Sequence, residues 1–332
     1  MFENFEREAE RADVLSKLAY LPPNKRMALI EDYSKRSAEA FAPETLRNLR
    51  QIICSFQKWC SENDLPSDAP VPPTVVAAYV DAMGGKLSAN TIETRLWGIA
   101  EFHRSQFQPS PCRHRLVQLA LKAVKRKYGA MTRQAPPLTK QDVYEALLDL
   151  GDTSVDLRDK ALILAASDSW CRVSELVRFR VRDLQRMDDG SSLLFIARSK
   201  TDPFGEGNYG YLSPEGSKAV LAWIEFAQLG ADDPIFTKSQ KGGTRTPLNA
   251  ATVSRIFKKR FRRADFSSHS TRVGGVHDAL RLGCSLSAIM VAGRWRSPEM
   301  PAQYGRRIQA SQSAAAEVAR AFQQGIAEEK GS

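Results

Sequence analysis

A proline-rich break near the middle of the chain limits the folds that are open to it. Residues Gly129–Pro137, with the sequence GAMTRQAPP, begin with glycine and end with two adjacent prolines. Proline lacks a backbone N–H and excludes the preceding residue from helical dihedral angles, so no helix is expected to run through this stretch. The 332 residues are enough for two hydrophobic cores. We therefore predict a linker at 129–137 between two domains, 41–128 and 138–307.

The first domain has the apolar periodicity of a helical bundle. From Pro43 onward, apolar residues recur every three or four positions, which is the spacing of one buried helix face. Further helices are expected to begin near Pro73, near Ser88 or Asn90, and after Pro111. Four helices joined by short loops predict a compact bundle.

The second domain combines helices with two strands. A helix is expected after Thr139, which has capping spacing to Asp142 three residues later. Residue type and flanking turns predict strands at Ser192–Ser199 and Tyr209–Ser213. The loop between them contains Lys200, so a small antiparallel sheet would present this ammonium group at its tip. The predicted fold class is mainly α with a small antiparallel β-sheet.

Positive charge is concentrated in two segments of a chain whose net charge is +10 and whose pI is about 9.4. Residues 113–133 and 245–263 each contain seven Lys or Arg and no Asp or Glu. Without acidic partners at i,i+4 these segments favour contact with a phosphate backbone, although a solvated helix face is the alternative. The face expected to be buried in the first segment consists of Leu116, Leu119, Ala120 and Ala123. The candidate DNA-binding residues are Arg115, Lys122, Lys125, Arg126, Lys127, Arg133, Arg245, Arg255, Lys258, Lys259, Arg260, Arg262 and Arg263.

The two ends of the chain are expected to lie outside these domains. Residues 1–40 are predicted to form a charged arm with one or two helices broken at Pro22-Pro23, and residues 308–332 a terminal helix. This helix either packs on its own domain or inserts into a groove of a neighbouring subunit. Its narrow apolar stripe consists of Ala315, Val318, Ala319, Phe322 and Ile326.

Several protein classes are disfavoured by composition. The N-terminal segment lacks the pattern of a signal peptide, and no apolar stretch is long enough to predict a membrane span. The five cysteines form no metal-ligand pattern with the four histidines, which favours reduced thiols in a cytosolic protein. We find no P-loop and no carboxylate cluster suited to Mg²⁺.

Residues 172 to 304 contain the groups needed to make a tyrosine react with a phosphate. A phenol has a pKa of about 10, so ionising it near neutral pH costs about 4 kcal/mol. Cations lower this cost, and an arginine can donate two parallel hydrogen bonds to phosphate oxygens. His269 and Arg272 share one helical face because they are three residues apart, and so do Arg172 and Glu175. Each residue alone is more often structural or solvated. The hypothesised pocket consists of Arg172, Glu175, Lys200, His269, Arg272, Trp295 and Tyr304.

Five short motifs carry a family resemblance. They are RVSEL at 172–176, SKT at 199–201, HSTRVG at 269–274, GRW at 293–295 and YGR at 304–306. Their order and spacing resemble those of the tyrosine recombinase (phage integrase) family. Most of that family has His where Trp295 stands, and Trp at this position is most similar to the Cre-like recombinases of phages and plasmids.

The resemblance implies a fold and a reaction. It implies a helical core-binding domain and a mixed catalytic domain that form a C-shaped clamp around DNA. Tyr304 would form a 3′-phosphotyrosyl link and release a 5′-hydroxyl, with Lys200 as general acid. Arg172, Arg272, His269 and Trp295 would hold the phosphate, and Glu175 would orient its neighbours. No metal or cofactor would be needed.

The resemblance also implies partners. These are double-stranded DNA with an inverted-repeat site and copies of the same chain, in a cyclic tetramer joined through the C-terminal helix. The setting would be the prokaryotic cytoplasm, in association with a plasmid or a phage. Two alternatives remain at this stage: a telomere resolvase or type IB-like topoisomerase of the same chemistry, and a catalytically silent DNA-binding regulator.

Overall fold

The computed structural model describes residues 22–131, 134–197, 205–238 and 245–331. The chain divides into two compact units, Met1–Arg133 and Gln134–Ser332. Residues 1–21 of the predicted arm, Arg133 and Lys200 lie outside the described residues.

The described part of the first unit is helical. Proline occupies the first turn of each of its first three helices, where the missing N–H has no helical partner to lose. Ser88 caps the fourth helix by accepting a hydrogen bond from the Thr91 N–H at 3.1 Å, which identifies Ser88 and not Asn90 as the N-cap. The helices are α1 (Pro23–Ala40), α2 (Pro43–Glu62), α3 (Pro73–Met83), α4 (Ala89–Ser105) and α5 (Arg115–Tyr128), with a 3₁₀ turn at Pro111–Arg113.

The buried face of α5 differs from the predicted one. Leu116 and Leu119 are 45% and 44% exposed, and Ala123 is exposed as well. Burying them would also have buried Lys127, which lies in the same sector of a helix that turns about 100° per residue. The prediction was therefore wrong by one helix position. The residues that pack into the core of this unit are Val117, Ala120, Leu121 and Val124.

The second unit combines helices with a three-stranded sheet. Its helices are α6 (Lys140–Leu148), α7 (Ser154–Ser169), α8 (Val173–Leu176), α9 (Pro214–Phe226), α10 (Ala250–Arg260), α11 (Ser268–Arg281), α12 (Leu286–Gly293), α13 (Glu299–Ser311) and α14 (Ala314–Gly331), with a 3₁₀ turn at Val181–Asp183. Its strands are β1 (Leu184–Arg186), β2 (Ser192–Ile196) and β3 (Asn208–Leu212). Thr139 and Asp142 form the predicted capping box at the start of α6.

The sheet is antiparallel with the order β1-β2-β3. Leu184 pairs with Leu194, and Leu194 pairs with Gly210 on its other side. Strands β2 and β3 correspond to the two predicted strands, whereas β1 was missed because its three residues contain a single apolar side chain. The predicted fold class, mainly α with a small antiparallel sheet, is confirmed.

Helix α7 forms the centre of the second unit. Residues 161–166 (ALILAA) are all fully buried, as expected for a helix that is apolar on every side. The helix packs against α9 and α11 and against β3. Its C-terminal end at Ser169 therefore lies deep in the unit, next to Arg172 and the start of α8.

Helices α11, α12 and α13 carry a separate apolar cluster that includes Val276, Leu280, Ile289 and Tyr304. Helices α11 and α13 approach closely at Gly305, where an added Cβ would lie 2.1 Å from Leu280 Cδ1. This contact fixes the position of α13, which carries Tyr304.

Helix α14 follows, and two of its large apolar side chains are exposed. Val318 is 56% exposed and Phe322 is 70% exposed. Among the described residues, none of the helices has the length and apolar character required to cross a bilayer.

Candidate active site

Arg172 and Glu175 form an ion pair at the start of α8. Arg172 Nη1 donates to Glu175 Oε1 at 2.9 Å, and the Arg172 backbone N–H donates to Oε2 at 2.9 Å. The Glu175 side chain is 2% exposed and that of Arg172 is 19% exposed, so Arg172 is the more accessible partner. Glu175 therefore fixes Arg172 through both its side chain and its backbone.

Arg272 lies behind this pair on α11 and is only 1% exposed. Its Nη1 donates to the Trp170 carbonyl, and its Nη2 donates to the Gly293 carbonyl at 2.9 Å. The guanidinium carbon lies 4.7 Å from the centre of the Trp295 ring, which is a cation–π contact. Burial lowers the pKa of Arg272 to about 10, and the positive charges of neighbouring arginines act in the same direction. Arg272 nevertheless stays charged near neutral pH.

Tyr304 is 7% exposed, and its hydroxyl lies 2.9 Å from Nε2 of His269. Burial raises the pKa of the Tyr304 phenol, while the charges of Arg272 and Arg172 offset part of this increase. The two arginines thus act in the expected direction, but the net shift is upward because desolvation of the phenolate outweighs them.

His269 is the group placed to take the phenol proton. It lies in the first turn of α11 and reaches solvent. Desolvation lowers the pKa of His269, and the nearby charges of Arg272 and Arg172 lower it further, so the imidazole is neutral near pH 7. A neutral ring with its proton on Nδ1 accepts a hydrogen bond at Nε2.

Trp295 packs between the groups already described. Its ring centre is 5.8 Å from that of Tyr304 in an edge-to-face arrangement and 6.3 Å from that of Trp170. The last residue of α12, Gly293, leaves room for this ring, since a Cβ there would lie 1.8 Å from Trp295 Cζ3. The structure thus brings together all the predicted catalytic residues that it describes; Lys200 lies outside them.

Sequence reasoning missed two groups next to Tyr304. The backbone carbonyl of Tyr304 lies 2.9 Å from Nε2 of His277 and accepts a hydrogen bond from Gln134 Nε2 at 3.3 Å. His277 lies on α11, as does His269, and Gln134 lies in the predicted linker. No motif marks either residue, so no sequence signal was available.

Sequence reasoning also missed Arg294, which lies within the GRW motif and is 8% exposed. Its Nη2 donates to Glu175 Oε2 at 3.0 Å. A single arginine in a basic chain is normally solvated, and therefore this position was not singled out.

The candidate DNA-binding residues fall into two groups. Arg115, Lys122, Arg126 and Lys127 are exposed on α5, and Arg255, Lys258 and Lys259 are exposed on α10. Their contact with DNA stays a prediction. The second group has acidic or carbonyl partners; it consists of Lys125 with Glu93, Arg245 with Asp233 and the Gln228 carbonyl, Arg260 with Asp156 and Asp159, Arg262 with Asp149, and Arg263 with Asp265.

Arg260 differs most from the expectation of a solvent-facing DNA contact. Its side chain is 13% exposed and lies 2.8 Å from Asp156 and 2.7 Å from Asp159. Both carboxylates belong to α7, about a hundred residues earlier in the chain. Residues 245–263 contain no acidic residue, but the acidic partners of Arg260 come from another helix.

Comparison with known proteins shows the family to which the chain is similar. The Phage integrase family model matches residues 138–310. The chain is 28% identical over 300 residues to the recombinase cre of Escherichia phage P1, covering 82% of this chain and 87% of that protein. It is 28% identical over 309 residues to the integrase/recombinase xerD homolog of Selenomonas ruminantium, covering 88% and 89%.

Solved structures are similar in fold. The Tn1549 transposon integrase in complex with transposon right end DNA matches with a TM-score of 0.62 and 15% identity, over 90% of this chain and 99% of that one. The lambda integrase dimer bound to a core site matches with a TM-score of 0.54 and 16% identity, over 84% and 94%. The fold is therefore the two-domain fold of these recombinases.

The family model covers more than half of the 332 residues, and the motifs that carried the resemblance, apart from SKT, contribute residues to a single site. The predicted family is confirmed: the chain belongs to the phage integrase family and is a tyrosine-type site-specific DNA recombinase, a DNA strand transferase.

Proposed function

We propose that Tyr304 is the nucleophile and that recombination proceeds through a 3′-phosphotyrosyl intermediate. The observation that carries the proposal is the 2.9 Å contact between the Tyr304 hydroxyl and Nε2 of His269, in a pocket that also holds Arg172 and Arg272. A nucleophile hydrogen-bonded to a neutral base is the arrangement that activates weak nucleophiles.

The first step exchanges one phosphoester bond for another. The Tyr304 oxygen bonds to the phosphorus and the bond from phosphorus to the 5′ oxygen breaks. The phenol proton passes to His269 Nε2 as the Tyr304 oxygen attacks. Because no free phenolate has to form first, the raised pKa of the phenol does not prevent the attack. The leaving 5′ oxygen needs a proton, because an alkoxide is a poor leaving group, and Lys200 is the predicted donor.

Arg172 and Arg272 would stabilise the charge that develops on the non-bridging oxygens. A guanidinium group has five N–H donors, so the two that Arg272 gives to backbone carbonyls leave others for phosphate. Removing one donor of this kind elsewhere lowers a rate by about 10²–10³-fold. Trp295 would complete the phosphate contacts and hold Arg272 in place, and Glu175 would orient Arg172.

The second step reverses the first with a different strand. A 5′-hydroxyl attacks the phosphotyrosyl phosphorus and gives its proton back to Lys200, while the bond from phosphorus to the Tyr304 oxygen breaks. The DNA phosphodiester is restored, and His269 returns the phenol proton to Tyr304. Each step replaces one phosphoester bond by another, so the proposal requires neither a nucleotide nor a metal ion.

The proposed DNA partner is a duplex with an inverted-repeat site. One of the structures with the same fold is the XerH recombinase bound to a palindromic difH substrate, with a TM-score of 0.58 and 16% identity over 78% of this chain and 76% of that one. The proposed DNA-contacting surfaces are the exposed basic residues of α5 and α10. Residues 41–128 would form the core-binding domain and 138–307 the catalytic domain. Since the relatives come from a phage and a bacterium, we propose a phage- or plasmid-associated protein of the prokaryotic cytoplasm.

The proposed assembly is a cyclic tetramer on DNA. The exposure of Val318 and Phe322 on α14 supports insertion of this helix into a neighbouring subunit. The double variant Val318→Glu/Phe322→Glu should bind one half-site but fail to form higher complexes in analytical ultracentrifugation with a two-site duplex. Wild-type assembly by that variant would contradict this proposal.

The chemical proposal is tested with a nicked duplex that traps the covalent complex. The duplex carries the sequence that the full-length chain selects from a randomised library. Wild type should give a shifted band on a denaturing gel, and Tyr304→Phe should bind the duplex without giving the band. The matched control is Tyr144→Phe, an exposed tyrosine of α6, which should behave as wild type. A covalent band with Tyr304→Phe would refute the assignment.

The products of the reaction distinguish a recombinase from the alternative functions. We expect recombination between two sites on a supercoiled plasmid. Simple relaxation would indicate a topoisomerase, hairpin ends a telomere resolvase, and binding without any covalent band a regulator.

A further inference from the structure

Arg294 connects three parts of the second unit beneath the proposed active site. It follows the last residue of α12 and has a φ of 55°, in the left-handed region. Its Nη1 donates to the Ser169 carbonyl at 3.0 Å, and its Nη2 donates to the Trp170 carbonyl at 3.1 Å. These carbonyls end helix α7, where the helix dipole favours a cation. The same Trp170 carbonyl accepts a hydrogen bond from Arg272.

The carboxylate of Glu175 is shared between two arginines. Its Oε1 accepts from Arg172 Nη1 at 2.9 Å, and its Oε2 accepts from Arg294 Nη2 at 3.0 Å. The side chains of Glu175 and Arg294 are 2% and 4% exposed, so solvent does not screen their interaction effectively. Three guanidinium groups and one carboxylate, counting Arg272, give this cluster a net charge of +2.

Stability alone does not explain an arginine at this position. A buried guanidinium is costly to desolvate, and in the part of the chain that the structure describes the Nε of Arg294 is buried without a hydrogen-bond partner. The left-handed backbone conformation would also favour glycine over any residue with a Cβ. Besides its hydrogen bonds to the Ser169 and Trp170 carbonyls, arginine adds here a positive charge against Glu175, which a smaller residue would not.

We propose that Arg294 is a positioning residue whose charge offsets Glu175, so that Arg172 remains available as a cation for the scissile phosphate. This inference rests on the proposed function. Without Arg294, Arg172 would be the only cation among the described residues that is hydrogen-bonded to the Glu175 carboxylate, and the cluster would fall to a net charge of +1. Arg172 would then be more fully neutralised and drawn toward Glu175, away from the phosphate.

The inference has support from the direction of two pKa shifts. Burial raises the pKa of Glu175, and Arg294 lowers it ahead of the hydrogen bonds from Arg172, which leaves the pKa lowered overall. Burial lowers the pKa of Arg272, and Arg294 is among the charges that lower it further. Arg294 therefore interacts with two of the proposed catalytic groups through its charge.

The test is the single-turnover rate of covalent complex formation on the nicked duplex that wild type cleaves. Arg294→Gly suits the backbone and removes only the side chain. We expect a rate about 10- to 100-fold below wild type, less than the 10²–10³-fold loss of a direct donor, with a Kd for the duplex within about threefold. Gln228→Gly is the matched control, because Gln228 also has a left-handed φ of 51° and is exposed in the same unit.

A double-mutant cycle distinguishes charge compensation from a general loss of packing. In a Glu175→Gln background there is no charge to offset, so adding Arg294→Gly should slow the reaction by less than about threefold. An undiminished effect in that background, or a wild-type rate for Arg294→Gly alone, would overturn the inference. If Arg294→Gly does not fold, Arg294→Lys and Arg294→Gln give the same comparison. Arg294→Lys should react at the wild-type rate, and Arg294→Gln should react as slowly as expected for Arg294→Gly. Equal rates for these two variants would overturn the inference. Absence of any covalent complex with wild type would instead contradict the proposed function.

Discussion

Replacing Arg260 by alanine should destabilise the second unit without weakening the electrostatic attraction to DNA. The charge pattern of residues 245–263 places Arg260 among the candidate phosphate contacts. In the structure its side chain is 13% exposed and bonded to Asp156 and Asp159 of α7. Arg260 thus joins α10 to the central helix of the unit.

The loss of stability in Arg260→Ala depends on the hydrogen bonds that the two aspartates keep. Breaking a buried ion pair by removing one partner costs about 3–5 kcal/mol. Asp159 keeps two hydrogen bonds from Arg158, at 2.7 and 3.0 Å, so we expect the lower limit of about 3 kcal/mol. For a unit of this length each kcal/mol lowers Tm by about 2–4 °C, which gives a decrease of about 6–12 °C.

Thermal unfolding and the salt dependence of DNA binding provide the two readouts. On a duplex of random sequence, Arg260→Ala should leave the slope of log Kd against log salt unchanged. Lys259→Ala, an exposed neighbour on α10, should change stability by no more than about 0.5 kcal/mol and reduce the slope by about 0.9. A wild-type Tm together with a reduced slope for Arg260→Ala would refute this prediction.

Two further predictions concern His103 and Gly293. Burial lowers the pKa of His103, whose Nε2 accepts a hydrogen bond from the Val71 N–H at 3.0 Å. As pH decreases, the unfolded chain therefore binds a proton at His103 before the folded chain does. In urea unfolding, the stability of the first unit should fall as pH decreases below about 6.5. Constant or rising stability between pH 7.5 and 5 would contradict this. Gly293→Ala should displace the Trp295 ring, cost about 1–3 kcal/mol in thermal unfolding and slow covalent complex formation. Gly151→Ala, where a Cβ would meet only an ordinary contact at 3.7 Å, is its control, and equal behaviour of the two variants would show that the ring is not held as described.

The parts of the site that sequence predicted are those with unusual residue types at fixed spacing. Arg172 and Glu175, and His269 and Arg272, lie three residues apart, and the family pattern linked them to Tyr304. Periodicity similarly gave the helical bundle and two of the three strands. Strand β1 was missed because three residues are too few to show alternation.

Contacts between distant parts of the chain could not be predicted in the same way. The acidic partners of Arg260 come from α7, and Arg294 reaches Glu175 from 119 residues further along the chain. On α5, two overlapping apolar faces were both compatible with helical spacing, and the face that leaves Lys127 exposed is the one that packs into the core. The pKa of Tyr304 depends on a balance between burial and charge that sequence does not contain.

The most direct test of the central claim is to locate the covalent bond itself. Wild-type protein is trapped on the nicked duplex, digested with protease and nuclease, and the nucleotide-bearing peptide is sequenced by tandem mass spectrometry. We predict a single phosphotyrosyl adduct on Tyr304, linked to the 3′ end of the cleaved strand. An adduct on any other residue, or a link to the 5′ end, would contradict the account.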